Sequence, residues 1–299
     1  MMKFDIIGRR KIWYILSILI ILPGIFSIFT QGFNLGIDFT GGVLVDLEFN
    51  KPVTVQEVRD VLKDYGLDNS MIQLAGAENG NSAKNVMIRT SDLEEMQKRE
   101  VLDALKEKIG DYNVLRTERV GAVMGSELTW QAIWATLLSW VLIVAYISYR
   151  FELKFAIAAI VGLIHDIFIV LSVFSIFQKE IDASFVAALM TIVGYSTNDT
   201  IVIFDRIREN LKLHYRKGGD LVELADNSIW QTMTRSIYTV LTVLFTTAAL
   251  YFFGGETTKN FSFALLIGFT SGAYSSIFTS TPLWVTFRHY ADKNRTLKA

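Results

Sequence analysis

Six stretches of this chain, at about 12–30, 130–149, 155–177, 184–204, 232–253 and 261–285, are each long and apolar enough to span a bilayer. About 20 such residues, rising 1.5 Å apiece in a helix, cross roughly 30 Å of hydrocarbon. A chain of 299 residues would otherwise suggest two soluble domains. The composition agrees with the spans: 51% of residues are hydrophobic, 20% are charged and the mean hydropathy is +0.34, against about 25% charged in soluble chains. There is no cysteine, which excludes disulfide scaffolds, thiolate catalysis and cysteine-ligated zinc or iron–sulfur sites. The net charge of −1 gives no footprint for nucleic acid.

The first run follows Lys3, Arg9, Arg10 and Lys11, as a signal peptide's would. No small-x-small cleavage site follows it, so it reads as a membrane anchor. Orientation comes from the basic residues of the short connections. With the N-terminus inside, fifteen fall on the cytoplasmic side: Lys3, Arg9, Arg10, Lys11, Arg150, Lys154, Arg206, Arg208, Lys212, Arg216, Lys217, Arg288, Lys293, Arg295 and Lys298. Two, Lys179 and Lys259, fall in the short outer loops. Both termini are thus expected in the cytoplasm, with residues 31–128 outside. The chain divides into a cytoplasmic N-terminus (1–11), the first span (12–30), an extracytoplasmic α+β domain (31–129), a five-helix bundle (130–285) and a cytoplasmic tail (286–299). A cytoplasmic loop (205–231) interrupts the bundle.

The outer insert holds 17 of the 30 acidic residues and 11 of the 29 basic ones. Gly42–Phe49 alternates apolar and polar residues, as a half-buried strand does. Thr54–Tyr65 carries Val55, Val58, Val61 and Leu62 at helical spacing, and Thr54 with Glu57 three residues on forms a capping box. Strands at about 70–75 and 85–90 flank the turn-forming Ala77–Ala83. A helix over 92–109 and a strand over 112–120 complete a β-α-β-β-α-β order, which predicts a ferredoxin-like split βαβ domain. Without histidine or a phosphate loop, the insert is suited to protein contact; a plain domain that only packs on partners is the blander alternative.

Ionisable groups at the centre of a span cost about 3 kcal/mol and mark functional candidates. His165–Asp166 lie near the middle of the third span, and Asn198–Asp199 in the fourth. Asp199 is about six residues, roughly 9 Å, inward from Asp205. Arg235 sits one turn into the fifth span, at a similar depth. An aspartate beside a guanidinium stays ionised; with the arginine withdrawn, desolvation favours its protonated form. That alternation is what a proton carrier needs. The plainer alternative is a static ion pair that fixes helix register. Hydroxyls crowd the fifth span (Thr232, Thr234, Ser236, Thr239, Thr242, Thr246 and Thr247), where they can relay protons or join helices. In the sixth span Gly268, Gly272, Ser276 and Ser280 recur every four residues, a groove for close helix approach, either inside the bundle or at a subunit interface. The run Asp205–Lys217 predicts a basic helix along the inner surface, facing anionic lipid or a cytoplasmic partner.

Several patterns converge. Leu35–Gly42 (LGIDFTGG) follows the first span, His165–Asp166 lies in the third, Gly194–Asn210 (GYSTNDTIVIFDRIREN) closes the fourth, and Arg235–Ser236 opens the threonine-rich fifth. With six spans and one outer insert, the chain resembles the SecF branch of the SecD/SecF family of bacterial protein export over nearly its whole length. The resemblance implies a polytopic α-helical protein forming half of an RND-type transporter, with SecD supplying the pseudo-symmetric other half. It implies the SecYEG channel, YajC, SecA and the translocating polypeptide as partners, and the bacterial inner membrane as location. It also implies that Asp199 and Arg235 belong to a proton pathway, to which Asn198, His165 and Asp166 are added as neighbours. Gly36, Asp38, Gly41 and Gly42 would form a motif coupling the spans to the outer domain. Asp205, beside Arg206, is the competing aspartate but suits an interfacial cap. Because SecD is often fused to SecF in this family, the resemblance leads one to expect a separately encoded SecD beside a chain of 299 residues.

No GxxxxGK sequence is present, so ATP hydrolysis by this chain is not expected, nor is any other enzymatic activity or cofactor. Ion flow is the remaining energy source: a charge crossing 100 mV releases about 2.3 kcal/mol, and a pH unit adds about 1.4 kcal/mol. The coupling ion, proton or sodium, stays open. So does a rival reading as a non-transporting scaffold for SecD. An independent small-molecule exporter is disfavoured by the small insert and single half, and an intramembrane protease by the lack of HExxH.

Overall fold

The computed structural model describes residues 4–75, 82–214 and 219–296. The turn predicted at 77–83 falls mostly outside these residues, as do Lys3, Arg216, Lys217 and Lys298. Two compact units divide the chain: one contains the residues up to Asn34 and from Trp134 onward, the other Leu35–Ile133.

Among the described residues six helices are long and apolar enough to cross a membrane. They are α1 (Arg10–Thr30), α4 (Ala122–Arg150), α5 (Leu153–Ile176), α6 (Ala183–His214), α7 (Leu221–Phe253) and a last span made of α8 (Glu256–Ser275) and α9 (Thr281–Thr296). Six crossings place both chain ends on one side of the bilayer, called here the terminal side. The core lies there. Phe155, Phe204 and Trp284 pack with Ile203, Ile207, Ala225 and Ile229, and the Phe155 and Trp284 rings stack at 4.6 Å. Helix α4 is nearly bare within the chain: only 6% of its most apolar window is buried. Trp134, Leu138, Val141 and Leu142 stand exposed along it, a surface suited to lipid or another membrane helix.

The connection over 205–231 is mostly helix: α6 runs to His214, in keeping with the basic helix read over Asp205–Lys217, and α7 begins at Leu221, ahead of its apolar run. Asp220 caps α7 by accepting the Val222 and Glu223 amides, and Asp205–Arg208 and Arg206–Glu209 pairs at 2.7 and 2.8 Å brace the extension of α6. Helix α6, at 32 residues, is about 48 Å long and outruns the hydrocarbon. The end of the apolar run was therefore not the end of the helix. The sixth span is interrupted: Ser276–Ser280 form a π turn between α8 and α9. Pro282 follows it and has no amide to give, which disturbs the regular ladder at this point.

In the second unit, β1 (Gly42–Thr54), α2 (Val55–Lys63), β2 (Met71–Ala75), β3 (Ser82–Thr90), α3 (Glu95–Lys108) and β4 (Tyr112–Val120) follow the predicted order. The sheet runs β2-β3-β1-β4 with every neighbour antiparallel. Read from the other edge this is 4-1-3-2, the split βαβ arrangement. Val43, Val45, Leu47 and Phe49 alternate onto the face covered by Val58, Val61 and Leu62 of α2 and Val101 and Leu105 of α3. The capping box forms: the Thr54 hydroxyl accepts the Glu57 amide at 3.2 Å, and the Glu57 carboxylate accepts the Thr54 amide at 2.7 Å.

Candidate functional site

Two buried aspartates lie within the helical unit, and their surroundings differ. Asp166, on α5, is 1% exposed. Its Oδ1 accepts the Ser271 hydroxyl at 2.6 Å and meets His165 Nδ1 at 3.1 Å. Its Oδ2 accepts Ser196 and Ser275, both at 2.7 Å. The network continues outward. His165 Nε2 lies 3.0 Å from the Ser17 hydroxyl, Ser17 donates to Tyr274, and Tyr274 donates to the Trp13 carbonyl. One carboxylate thus joins α5, α6 and α8, and its histidine adds α1. Every acceptor position of such a group is a strong bond when the group is ionised.

Asp199, on α6, is 7% exposed and far less well held. Its Oδ1 accepts the Ser236 hydroxyl at 2.7 Å. Its Oδ2 is buried without a hydrogen-bond partner. The nearby Ser276 hydroxyl is engaged elsewhere, with Thr200 at 2.8 Å and the Gly272 carbonyl at 2.9 Å.

Arg235 stands beside this aspartate without pairing to it. Among the described residues no ion pair joins the two, and Arg235 is exposed. Successive helix residues point about 100° apart, so when Ser236 faces Asp199 its neighbour turns away. Arg235 instead lines a cleft of about 400 Å³ together with Asn198, Asp205, Arg206, Glu209 and Gln231. Asp205 bonds Arg208 and sits within a continuing helix, so the expected interfacial cap beside Arg206 is not what it forms.

The threonines of α7 do not line up as a relay. Thr232, Thr239, Thr242, Thr246 and Thr247 each donate to a carbonyl of their own helix, three or four residues back. Ser236 bonds across to Asp199 of another helix, and Thr239 also lies against the Tyr195 hydroxyl of α6.

The small-residue stripe packs inward. A methyl group built on Gly268 would lie 2.2 Å from Ile192, and one on Gly272 3.0 Å from Ser196. With Ser276 bonded to Thr200, three α8-side positions meet three α6 positions, each set spaced by four residues. Ser280 reaches α5, its hydroxyl occupying the space beside Gly162. These contacts bring α8 close enough for Ser271 and Ser275 to reach Asp166.

In the second unit, Gly36 precedes a single helical turn, Ile37–Thr40, which contains the half-buried Asp38. Gly41 closes the turn at φ +70° with its amide on the Ile37 carbonyl, and Gly42 follows at φ +126°. Both are left-handed conformations that favour glycine. Gly42 also lies against the Thr90 carbonyl, 2.2 Å from where a Cβ would be.

Sequence reasoning missed Ser17, Ser196, Ser271, Ser275 and Tyr274. The available signal was weak: Ser271 and Ser275 repeat the four-residue spacing on a second face of the same span. Among the described residues no three His, Asp or Glu side chains gather as a metal-ligand set.

A six-span membrane protein with two separately held carboxyl groups in its helical interior and one split βαβ insert is the class these features define. The chain belongs to the SecD/SecF family: the C-terminal model of the protein export membrane protein SecD/SecF matches residues 100–290, and the SecD/SecF GG motif matches 26–53. Among similar curated proteins, protein translocase subunit SecF of Acidaminococcus fermentans is 50% identical over 96% of this chain and 98% of that one. SecF of Sebaldella termitidis is 40% identical over 97% and 93%. A crystal structure of SecDF from Thermus, described as a translocon-associated membrane protein, superposes with a TM-score of 0.87 at 33% identity. It covers 96% of this chain and 39% of the SecDF chain.

Proposed function

We propose that this chain is a SecF-type translocase subunit that uses an ion gradient to help complete polypeptide export, with Asp199 as the carboxyl group that exchanges the ion. The observation that carries this reading is the contrast between the two aspartates. Asp166 is met by four partners and serves as a fixed tie; Asp199 has one partner, one unpartnered buried oxygen and an uncommitted arginine nearby. A buried oxygen without a donor costs about 1–3 kcal/mol, and two events relieve it: arrival of a proton, or of Arg235. Cycling between them lets α6 and α7 shift against each other. The ion gradient supplies about 2.3 kcal/mol per charge per 100 mV, and a proton adds about 1.4 kcal/mol per pH unit. The chain itself connects α1 and α4 to the insert, whose changing position would hold and release an emerging polypeptide.

Partners follow from the exposed face of α7, which presents Arg235, Thr239, Thr242 and Thr246. An arginine facing lipid costs about 2.5–3.5 kcal/mol at a span's centre, and part of that one turn from its end, so this face belongs against a SecD-type half. Placement beside SecYEG and YajC, action after SecA, an inner-membrane location with cytoplasmic termini, and a transport role without catalysis of its own complete the reading. Asp199→Asn and Arg235→Met should each abolish gradient-dependent export while assembly with SecD persists; full export in either would refute it. The Asp166 network, which ties four helices, favours a second reading as a scaffold. Ion flux through reconstituted SecD–SecF vesicles separates the two, since a scaffold gives no flux that depends on Asp199.

A further inference from the structure

The segment ahead of α1 is bonded to α7, a contact that ion exchange at Asp199 leaves unused. Asp226, on the second turn of α7, accepts the Ile6 and Ile7 amides on one oxygen, at 3.1 and 3.0 Å. Trp230, one turn further on, donates its indole N–H to the Phe4 carbonyl at 3.1 Å. Ile6 and Ile7 are 2% and 0% exposed, packed in the terminal-side core with Ala225, Ile229 and Ile203. Residues 225, 226, 229 and 230 share one face of α7, where side chains four apart lie side by side. That face holds the segment by three hydrogen bonds and two buried isoleucines.

The same segment is stiffly joined to α1. The Trp13 indole donates to the Ile6 carbonyl at 3.0 Å, and the Arg10 amide to the Ile7 carbonyl at 3.2 Å. The first turn of α1 therefore closes onto the docked residues. Asp5 accepts the Gly8 amide at 2.6 Å, and the Arg9 guanidinium lies 4.6 Å from the centre of the Phe4 ring. No slack is left between the two elements, since α1 begins at Arg10. Helix α1 itself packs on α5, with the Ser27 and Ser175 hydroxyls 2.9 Å apart.

We propose that residues 4–9 are a yoke that carries displacement of α7 to α1, and that Asp226 is the positioning residue that seats it. The yoke rests on the exchange reading, in which α7 shifts against α6 as Asp199 takes up and gives up its ion. Helix α7 meets Asp199 through Ser236, about 15 Å along the helix from Asp226. A continuous helix moves as a body, so a shift at Ser236 reaches Ile6 and Ile7 and, through them, α1, whose far end leads into the insert.

Proteoliposomes holding SecYEG and the SecD–SecF pair, supplied with SecA, a preprotein and an imposed gradient, test it. Ion flux (a trapped pH dye, or radiosodium uptake) and export are read in the same vesicles, and hydrogen exchange of the pair in nanodiscs reports the Ile6 and Ile7 amides. Asp226→Ala should lower protection of both amides about tenfold or more. It should also abolish the gradient-dependent part of export while Asp199-dependent flux persists. Asp226→Asn keeps an oxygen for both amides and should restore protection and export. Trp230→Phe, a milder cut that removes the indole bond to Phe4, should lower the export obtained per ion part of the way. A residue that merely held the fold together would lose flux and export in step. That parallel loss, unchanged amide protection in Asp226→Ala, or native export despite lost protection would overturn the proposal. A native chain without Asp199-dependent flux would overturn the exchange reading, and the yoke with it.

Discussion

Replacing Gly268 with alanine would test whether the contact between α6 and α8 sets the geometry of both aspartates. The added methyl carbon would lie 2.2 Å from Ile192 Cδ1, 2.3 Å from Cγ1 and 2.9 Å from Cγ2. Carbon contacts rest at about 3.5–4.0 Å, so something must move by more than an ångström. Ile192 is fully buried and β-branched, hence stiff at χ1. Such overpacking costs about 1–3 kcal/mol, and alanine's better helix propensity returns up to about 1 kcal/mol. The net loss is centred on about 1.5 kcal/mol within a span of roughly 0–3, on the order of tenfold in the folding equilibrium.

Gly194, on α6, is the internal control, because a methyl there meets nothing within 4 Å. Gly194→Ala should be neutral or up to about 1 kcal/mol stabilising. The assay is unfolding of the purified chain in mixed micelles of increasing denaturing-detergent fraction, followed by near-ultraviolet circular dichroism of its six tryptophans. Ile192→Val removes the Cδ1 carbon. That alone leaves Cγ1 and Cγ2 against the new methyl, so Ile192→Ala is the informative partner. It should cost about 2–5 kcal/mol in the native chain and markedly less once Gly268 is alanine, and this coupling marks direct contact. Equal stability of Gly268→Ala and Gly194→Ala would refute the reasoning.

Asp166→Ala should destabilise the bundle by about 3–5 kcal/mol, since it strands three serine hydroxyls and a histidine; the same detergent titration reads it, and a loss under 1 kcal/mol would contradict the fixed tie. Gly42→Ala should cost at least about 1–3 kcal/mol, from its positive φ and the Thr90 carbonyl in the way, seen as faster hydrogen exchange in β1 and β3. Thr54→Ala should cost about 1 kcal/mol at neutral pH, read from exchange of the α2 amides. The Thr54 amide and hydroxyl hold Glu57 below its ordinary value of 4.5. That stabilisation is therefore present above pH 4.5 and lost as the pH falls through the lower, folded value, so the native chain and the variant should converge in acid.

What the residues disclosed depended on how local the governing physics was. The spans were legible because hydrocarbon demands a fixed run of apolar residues, and the insert because its strand alternation, capping box and turn residues are all local signals. The helix beyond Asp205 was legible too, from its basic run; the early start of α7 at Leu221 was not, since the charged and polar residues over 221–231 look like a loop. Depth along antiparallel helices correctly brought Asp199 and Arg235 to one level, but depth says nothing of azimuth. One residue of helical phase gave the contact to Ser236 instead. The Asp166 ring was illegible for a related reason: its serines come from α6 and α8, and a lone serine in a span carries no mark of what it faces.

That ring constrains how such a chain can change over time. The four groups around Asp166 come from three helices, so an isolated substitution leaves either a stranded carboxyl group or an idle hydroxyl in the dry interior. Drift at these positions must proceed in matched sets, and a hybrid assembled from two diverged relatives should fail here first, even where each parent folds well.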